Sequence, residues 1–329
     1  MVARVAAGVD VGGTKIYAGV VNLDTGEVLA TARKRTYPER GVDFFTQRLQ
    51  EVIAAALDGA QLPGGTGLLG VGIGIAGQVD RAHGVILGAP NLAAGLVNLD
   101  IATILGNRFN VPIALGNDVE VAALGEQYHG AGRGLDDFVY VSVGTGVGSA
   151  IVQGGKFYRG QTGFAGEIGH TVVQYNGRYC GCGGRGHLEA YASRTAITKV
   201  LFAEMARGRP SMLKDLLKPD DTAIRSKMLA RCVEGGDELV LEALAEAADY
   251  LGVGLGSLAS FYNPGRCIVG GGLIEAVPSF MARAGLRARE VALPISGRAM
   301  QVVKSTLGDN SGIVGAAWLG GNRPPNLPD

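Results

Sequence analysis

The first hydrophobic pattern in the chain is a run of small and β-branched residues, VAAGVDV. A Gly-Gly-Thr turn breaks it, KIYAGVVN follows, and an Asp-Thr-Gly turn leads into VLATARK. That alternation predicts a three-stranded meander. The same grammar returns at Phe138, where FVYVSV, a Gly-Thr-Gly turn, GSAIVQ, a Gly-Gly turn and KFYRG follow in order. Repetition on this scale predicts an internal duplication, one unit in each of two domains. Between the strands the period changes. Phe45, Leu49, Val52 and Ala56 recur at three- and four-residue spacing, and Leu124 with Tyr128 marks another helix starting near Asp118. From Thr195 to about Leu258 the pattern is almost wholly helical, with Leu239, Leu241, Leu244, Ala245 and Leu251 set among acidic residues. DNSGIVGAAWLGG predicts a last helix with Asn310 or Ser311 as N-cap, and residues 323–329 a frayed tail. Strands alternating with helices make this an α/β protein.

Composition narrows what such a protein does. A chain of 329 residues, 47 % of them hydrophobic, is expected to divide into two domains. Thirty basic residues balance thirty acidic ones, so the basic stripe of a nucleic-acid binder is missing. No apolar run approaches the roughly 20 residues that a spanning helix needs, and the N-terminus lacks the apolar core of a signal peptide. The expectation is a cytoplasmic protein with no membrane partner. Four cysteines spaced so unevenly, Cys180, Cys182, Cys232 and Cys267, fit metal binding or chance better than disulfides. The 54 glycines sit between short β-branched runs, where strands should turn.

Three glycine turns carry candidate chemistry. In DVGGTK, Asp10 offers a carboxylate at a strand end, Gly12 and Gly13 expose backbone N–H groups, and Thr14 and Lys15 add a hydroxyl and a cation. A nucleotide phosphate tail with its magnesium needs that set, although a hairpin turn with a chance acid reads the same way. Gly144-Thr145-Gly146 supplies a second such turn from the duplicated unit, and Gly270-Gly271-Gly272 after RCIVG a third, open to a base or ribose. Two decoys fall on context. Gly72, Gly74 and Gly77 satisfy the dinucleotide spacing, but a hairpin follows where a helix should, and no G-x-x-x-x-G-K-[ST] occurs.

Asp118 ends the strand led by Pro112 and begins a helix. It is either an ordinary N-cap or a catalytic base favoured in its ionised form by the helix dipole. His170, Cys180, Cys182 and His187 gather half of the chain's Cys and His within 18 residues. Four such donors suit a closed, structural zinc knuckle, the alternative being two buried thiols and two unrelated histidines.

Taken together, DVGGTK, Asn117-Asp118, Glu167-x-Gly169-His170 and Cys180-x-Cys182-Gly183-x-x-Gly186-x-x-Glu189 resemble the ROK family, bacterial sugar kinases and related repressors. APNL at 89–92, NPGRCIVGGGL at 263–273 and LGDNSGIVGAAWLG extend the resemblance nearly end to end. It implies an actin-like ATPase (ribonuclease H-like) fold of two duplicated α/β domains around a cleft. The expected limits are 1–117 with about 311–322 for the small domain and 118–310 for the larger. It further implies ATP and Mg²⁺ as cofactors, a structural Zn²⁺ and a homodimer or homotetramer. Asp118 would be the base toward a hexose C6 hydroxyl, with Asn117, Glu167, His170 and Glu189 holding the other hydroxyls. His170 would serve both zinc and sugar, so that the zinc hairpin braces the sugar-binding groups.

This chain departs from the family pattern in three places. His187 replaces the usual third cysteine, Gly116, Val119 and Glu120 alter the surroundings of the base, and Ala76-Gly77 replaces a common Pro-Gly. Glucose is the expected acceptor; fructose or an N-acetylhexosamine, and polyphosphate as donor, are alternatives. A sugar-sensing repressor is disfavoured because only nine residues precede Asp10, too few for a helix-turn-helix segment.

Overall fold

A computed structural model describes residues 3–62, 67–89 and 92–322, and its contacts divide the chain into two units. The first comprises Met1–Gly134 and Asn310–Asp329, the second Leu135–Asp309.

The first unit opens with the expected meander, β1 (Val5–Val11), β2 (Lys15–Asn22) and β3 (Val28–Arg35), followed by α1 (Gly41–Ala60). Phe45, Leu49, Val52, Ile53 and Ala56 form the buried face of α1, as their spacing requires. β4 (Leu68–Ile75), β5 (Gln78–Asp80), β6 (Val85–Gly88), β7 (Val97–Asp100), α2 (Ile101–Phe109), β8 (Ile113–Asn117) and α3 (Asp118–His129) come next. The main sheet runs β3-β2-β1-β4-β8; β5, β6 and β7 form a small antiparallel sheet of their own.

In the second unit the strands are β9 (Phe138–Val143), β10 (Val147–Gln153), β11 (Lys156–Phe157), β12 (Arg266–Gly270) and β13 (Gln301–Lys304), ordered β11-β10-β9-β12-β13. Both sheets take the same steps: two antiparallel pairings through the meander, then two parallel ones. That shared topology is the structural form of the duplication. The helical cover consists of α4 (Glu189–Ala192), α5 (Arg194–Ala206), α6 (Leu213–Leu216), α7 (Ser226–Glu234) and α8 (Glu238–Phe261). Loops at 207–212 and 217–225 interrupt what the sequence reads as almost continuous helix. Leu239, Leu244 and Leu251 of α8 enter the core, whereas Leu241 faces solvent. α9 (Gly272–Ala276), α10 (Pro278–Val291) and α11 (Pro294–Ala299) complete this unit.

The last helix, α12 (Ser311–Gly321), belongs to the first unit. It lies on β1 and β4 at glycines, because a methyl group on Gly8 would strike the Ile313 carbonyl and one on Gly72 the Ala316 carbonyl. Against α3 the fit is equally close, with Gly125 at the Ser311 carbonyl and Gly315 at the Val121 carbonyl. Backbone cannot yield as a side chain can, so these contacts tie α3 to the first unit. The division therefore falls after Gly134 and not after Asn117, where the sequence reading put it. Asn310 does stand at the N-cap position of α12 but makes no capping bond: its Oδ1 accepts from the Tyr17 hydroxyl (2.9 Å), and Ser311 Oγ donates to the buried Glu126 (2.9 Å). The expected tail at 323–329 lies outside the described residues. Among the described residues no helix is long and apolar enough to cross a membrane.

Candidate functional site

The β1–β2 turn of the first unit is braced by a residue that sequence spacing does not single out. Thr36, fully buried, donates its hydroxyl to the Gly12 carbonyl (2.7 Å) and its N–H to the Thr14 carbonyl (3.2 Å). Gly12 N–H closes the turn on the Lys15 carbonyl (3.0 Å), leaving Gly13 and Thr14 exposed and Asp10 half-buried beside them. The glycines are not there for φ freedom. Gly12, Gly13, Gly144 and Gly146 all lie outside the positive-φ set. What distinguishes Gly12 and Gly144 is room: a Cβ on Gly144 would meet nothing within 4 Å, and one on Gly12 only the Lys15 carbonyl at 3.7 Å. Both turns can thus receive a bulky anion directly against the backbone.

The third glycine run is different. Gly271, at φ +98°, is demanded by the chain itself, since a Cβ there would run into the Val143 backbone, and one on Gly270 would crowd the Tyr140 hydroxyl. Only Gly272, at the head of α9, keeps its face open.

At the β8–α3 junction the cap is Asn117, not Asp118. Its Oδ1 accepts from the N–H groups of Val119 (3.0 Å) and Glu120 (3.3 Å), so that oxygen is committed to the helix start. Asp118 is then the first helical residue, half-buried at the sheet's carboxyl edge. Glu120, one of the departures from the family pattern, pairs with Arg81 of the β5–β6 hairpin at 2.6 Å. The ion pair accounts for an extra carboxylate two positions from Asp118.

In the second unit, Glu167 precedes and His170 ends a short 3-10 turn (Ile168–His170) pressed on β10, where a Cβ on Gly169 would collide with the Val147 carbonyl. The cysteine hairpin folds back through Cys180 N–H to the Gly184 carbonyl (2.8 Å) and Gly183 N–H to the Cys180 carbonyl (3.0 Å). The result brings one donor atom each from His170, Cys180, Cys182 and His187 within 4.8 Å of one another. Nδ1 of His170 faces Cys180 Sγ at 3.8 Å, and Nδ1 of His187 faces Cys182 Sγ at 3.2 Å. Two thiols and two imidazoles at that spacing fit tetrahedral zinc, with His187 reaching the place of the missing cysteine. Burial pushes the Cys180 thiol up, and the Glu189 carboxylate nearby adds to it. A bound cation would reverse that penalty by favouring the thiolate. Glu189 spans the hairpin and the glycine turn, with Oε2 accepting from Val147 N–H (3.0 Å) and Oε1 3.7 Å from Cys180 Sγ.

The chain matches the model of the ROK family over residues 6–322. It is 34 % identical over 332 residues to a glucokinase of Streptomyces coelicolor, covering 97 % of this chain and 98 % of that one. With a glucokinase of Thermotoga maritima it shares 33 % identity over 312 residues, 95 % of this chain and 96 % of the relative. Its structure superposes with a TM-score of 0.80 on a ROK family glucokinase from Streptomyces griseus solved in complex with glucose and AMPPNP, at 34 % identity. That match covers 96 % of this chain and 99 % of the other. The actin-like ATPase fold of these neighbours is the fold of the two repeated sheets.

Proposed function

The chain belongs to the ROK family, and on that footing we propose that it transfers the γ-phosphoryl group of ATP to glucose, giving glucose 6-phosphate and ADP. The observation that carries this reading is likeness over nearly the whole chain to glucokinases, one of them holding glucose and an ATP analogue.

Phosphoryl transfer passes through a loose transition state, so positioning and charge neutralisation do most of the work. The turn at Gly12, Gly13, Thr14 and Lys15 and the turn at Gly144, Thr145 and Gly146 would each offer N–H, hydroxyl or ammonium donors to the phosphates, while Gly272 leaves space for the nucleoside. Asp10 would hold Mg²⁺, which would supply neutralisation of phosphate charge. Asp118 accepts the proton of the attacking sugar hydroxyl at the head of α3. Glu167, His170, Glu189 and the Asn117 amide hold the remaining hydroxyls. His170, Cys180, Cys182 and His187 would hold a structural zinc, which would cross-link the hairpin and so orient His170 toward the sugar. Assembly as a homodimer or homotetramer in the cytosol completes the proposal, and light scattering on the purified chain reads the assembly.

The test is ADP release from MgATP with glucose, fructose, mannose, N-acetylglucosamine and N-acetylmannosamine, wild type beside Asp118→Asn. Turnover with glucose, lowered about 10²- to 10⁴-fold in the variant, supports both the acceptor and the base. Preference for another sugar moves the acceptor. No turnover by folded protein with any of them, or with polyphosphate as donor, ends the kinase reading.

A further inference from the structure

The second glycine turn is gripped at three points by the start of one helix. Arg194, the first residue of α5, donates its backbone N–H to the Gly144 carbonyl (2.9 Å) and its Nη2 to Thr145 Oγ1 (2.7 Å). The hydroxyl of Thr195 donates to the Thr145 carbonyl (2.7 Å). The remaining guanidinium contact, Nη1 to the Ile224 carbonyl, is a long 3.5 Å.

Arg194 is partly buried, yet among the described residues it has no carboxylate partner. Arg81, Arg178 and Arg283 by contrast each pair with one. Burial holds its pKa below the usual guanidinium value, with no acidic neighbour opposing the shift. Its place in the fold compounds this. A helix N-terminus carries partial positive charge and favours an acid there, but the first turn of α5 contains none. Guanidinium and helix start therefore add positive charge at the Gly144–Thr145 end of the turn, while the Glu189 carboxylate sits at its other end, on the Val147 N–H.

The bond to Thr145 also fixes the sense of that hydroxyl. With its oxygen accepting from Nη2, its own hydrogen is turned elsewhere and is available to donate. Thr145 is exposed, and the adjoining Gly144 leaves room above the backbone. An anion rich in acceptor oxygens matches both features.

We propose that Arg194 is a positioning residue for the nucleotide phosphates: it holds the Thr145 hydroxyl as a donor and gives the turn a positive charge that a phosphate oxygen of ATP answers. The proposal rests on the reading of Gly144–Gly146 as a phosphate turn.

Calorimetric binding of ATP and of adenosine, without sugar, tests it in wild type, Arg194→Gln, Arg194→Lys, Thr145→Val and the Gln/Val double variant. Steady-state constants for ATP and glucose accompany the binding data. Arg194→Gln is expected to weaken ATP about 10- to 100-fold, as loss of a charge-assisted bond implies, with adenosine affinity and the KM for glucose within about twofold. Arg194→Lys recovers part of the loss, since it keeps the charge without the planar fork. The double variant is little worse than the single ones, because both remove the same contact. Unchanged ATP affinity in Arg194→Gln overturns the proposal, as does an equal loss of ATP and adenosine, which marks a merely structural role. If Arg194→Gln does not fold, the lysine and valine variants carry the same comparison. Wild type that binds ATP but phosphorylates no sugar ends the kinase reading, and the ATP–adenosine comparison still decides the role of Arg194.

Discussion

Gly72 separates two accounts of a glycine pattern that resembles a dinucleotide fingerprint. In the structure Gly72 is a seat for α12: a Cβ there would strike the Ala316 carbonyl and stand 2.8 Å from the Gly320 nitrogen, well short of the 3.4 Å of ordinary contact. Both obstacles are backbone, so Gly72→Ala must displace the helix itself. α12 buries Ile313, Val314, Ala316 and Ala317, and a shift loosens contacts along its whole inner face. Overpacking of this kind costs about 1–3 kcal/mol, and an unyielding neighbour places Gly72→Ala near 3. In a unit on the order of 150 residues each kcal/mol lowers Tm by about 2–4 °C, giving a fall of about 6–12 °C. Gly88→Ala is the control, since its Cβ would meet nothing within 4 Å and its φ is not positive. Differential scanning calorimetry of the three proteins, with ATP affinity measured below the transition, is the assay. A Gly72→Ala protein melting within 1 °C of wild type but binding ATP poorly would refute the seat and return the glycine to the nucleotide.

Three further predictions concern thiol burial, metal content and ion pairing. Burial pushes the thiols of Cys232 and Cys267 up to about 11 and about 12, so after metal removal a disulfide-exchange reagent at pH 8 should label exposed Cys182 first. Cys232 and Cys267 should label only on denaturation, and equal rates for all four thiols would contradict the burial. Before removal, one zinc per chain is expected by atomic absorption, lost in Cys182→Ser; zinc-free wild type would sink the knuckle. Arg283 donates to both oxygens of Asp249 (2.7 and 2.6 Å) and holds that carboxyl below its ordinary 3.8. A depressed carboxyl stabilises above its unfolded value, and that support disappears as pH falls through the folded one. Both groups are partly exposed, so Asp249→Asn should cost about 0.5 kcal/mol at pH 7 and nothing near pH 2. A gap in urea midpoints that persists at pH 2 argues against the pairing.

What the sequence determined by itself are the features whose physics is local. Strand and helix periods, the meander and its repeat at Phe138, the strand led by Pro112 and the Cys-x-Cys turn all depend on neighbours a few residues apart. The Cys/His cluster was legible for the same reason, since His170 to His187 close on one another within 18 positions. Tertiary structure alone decided the rest. Gly72 reads as a motif glycine, and Gly8 and Gly125 carry no signal, yet all three seat α12, about 300 residues from Gly8. Asn117 takes the cap from Asp118 because side-chain rotamers at the helix start settle which oxygen reaches the free N–H groups. Thr36 and Arg194 carry no spacing signal: a hydroxyl 24 residues away braces the first glycine turn, and a guanidinium 49 residues away braces the second. Backbone-to-backbone approach and bonds of that span exist only once the sheets have formed, and a one-dimensional pattern does not encode them.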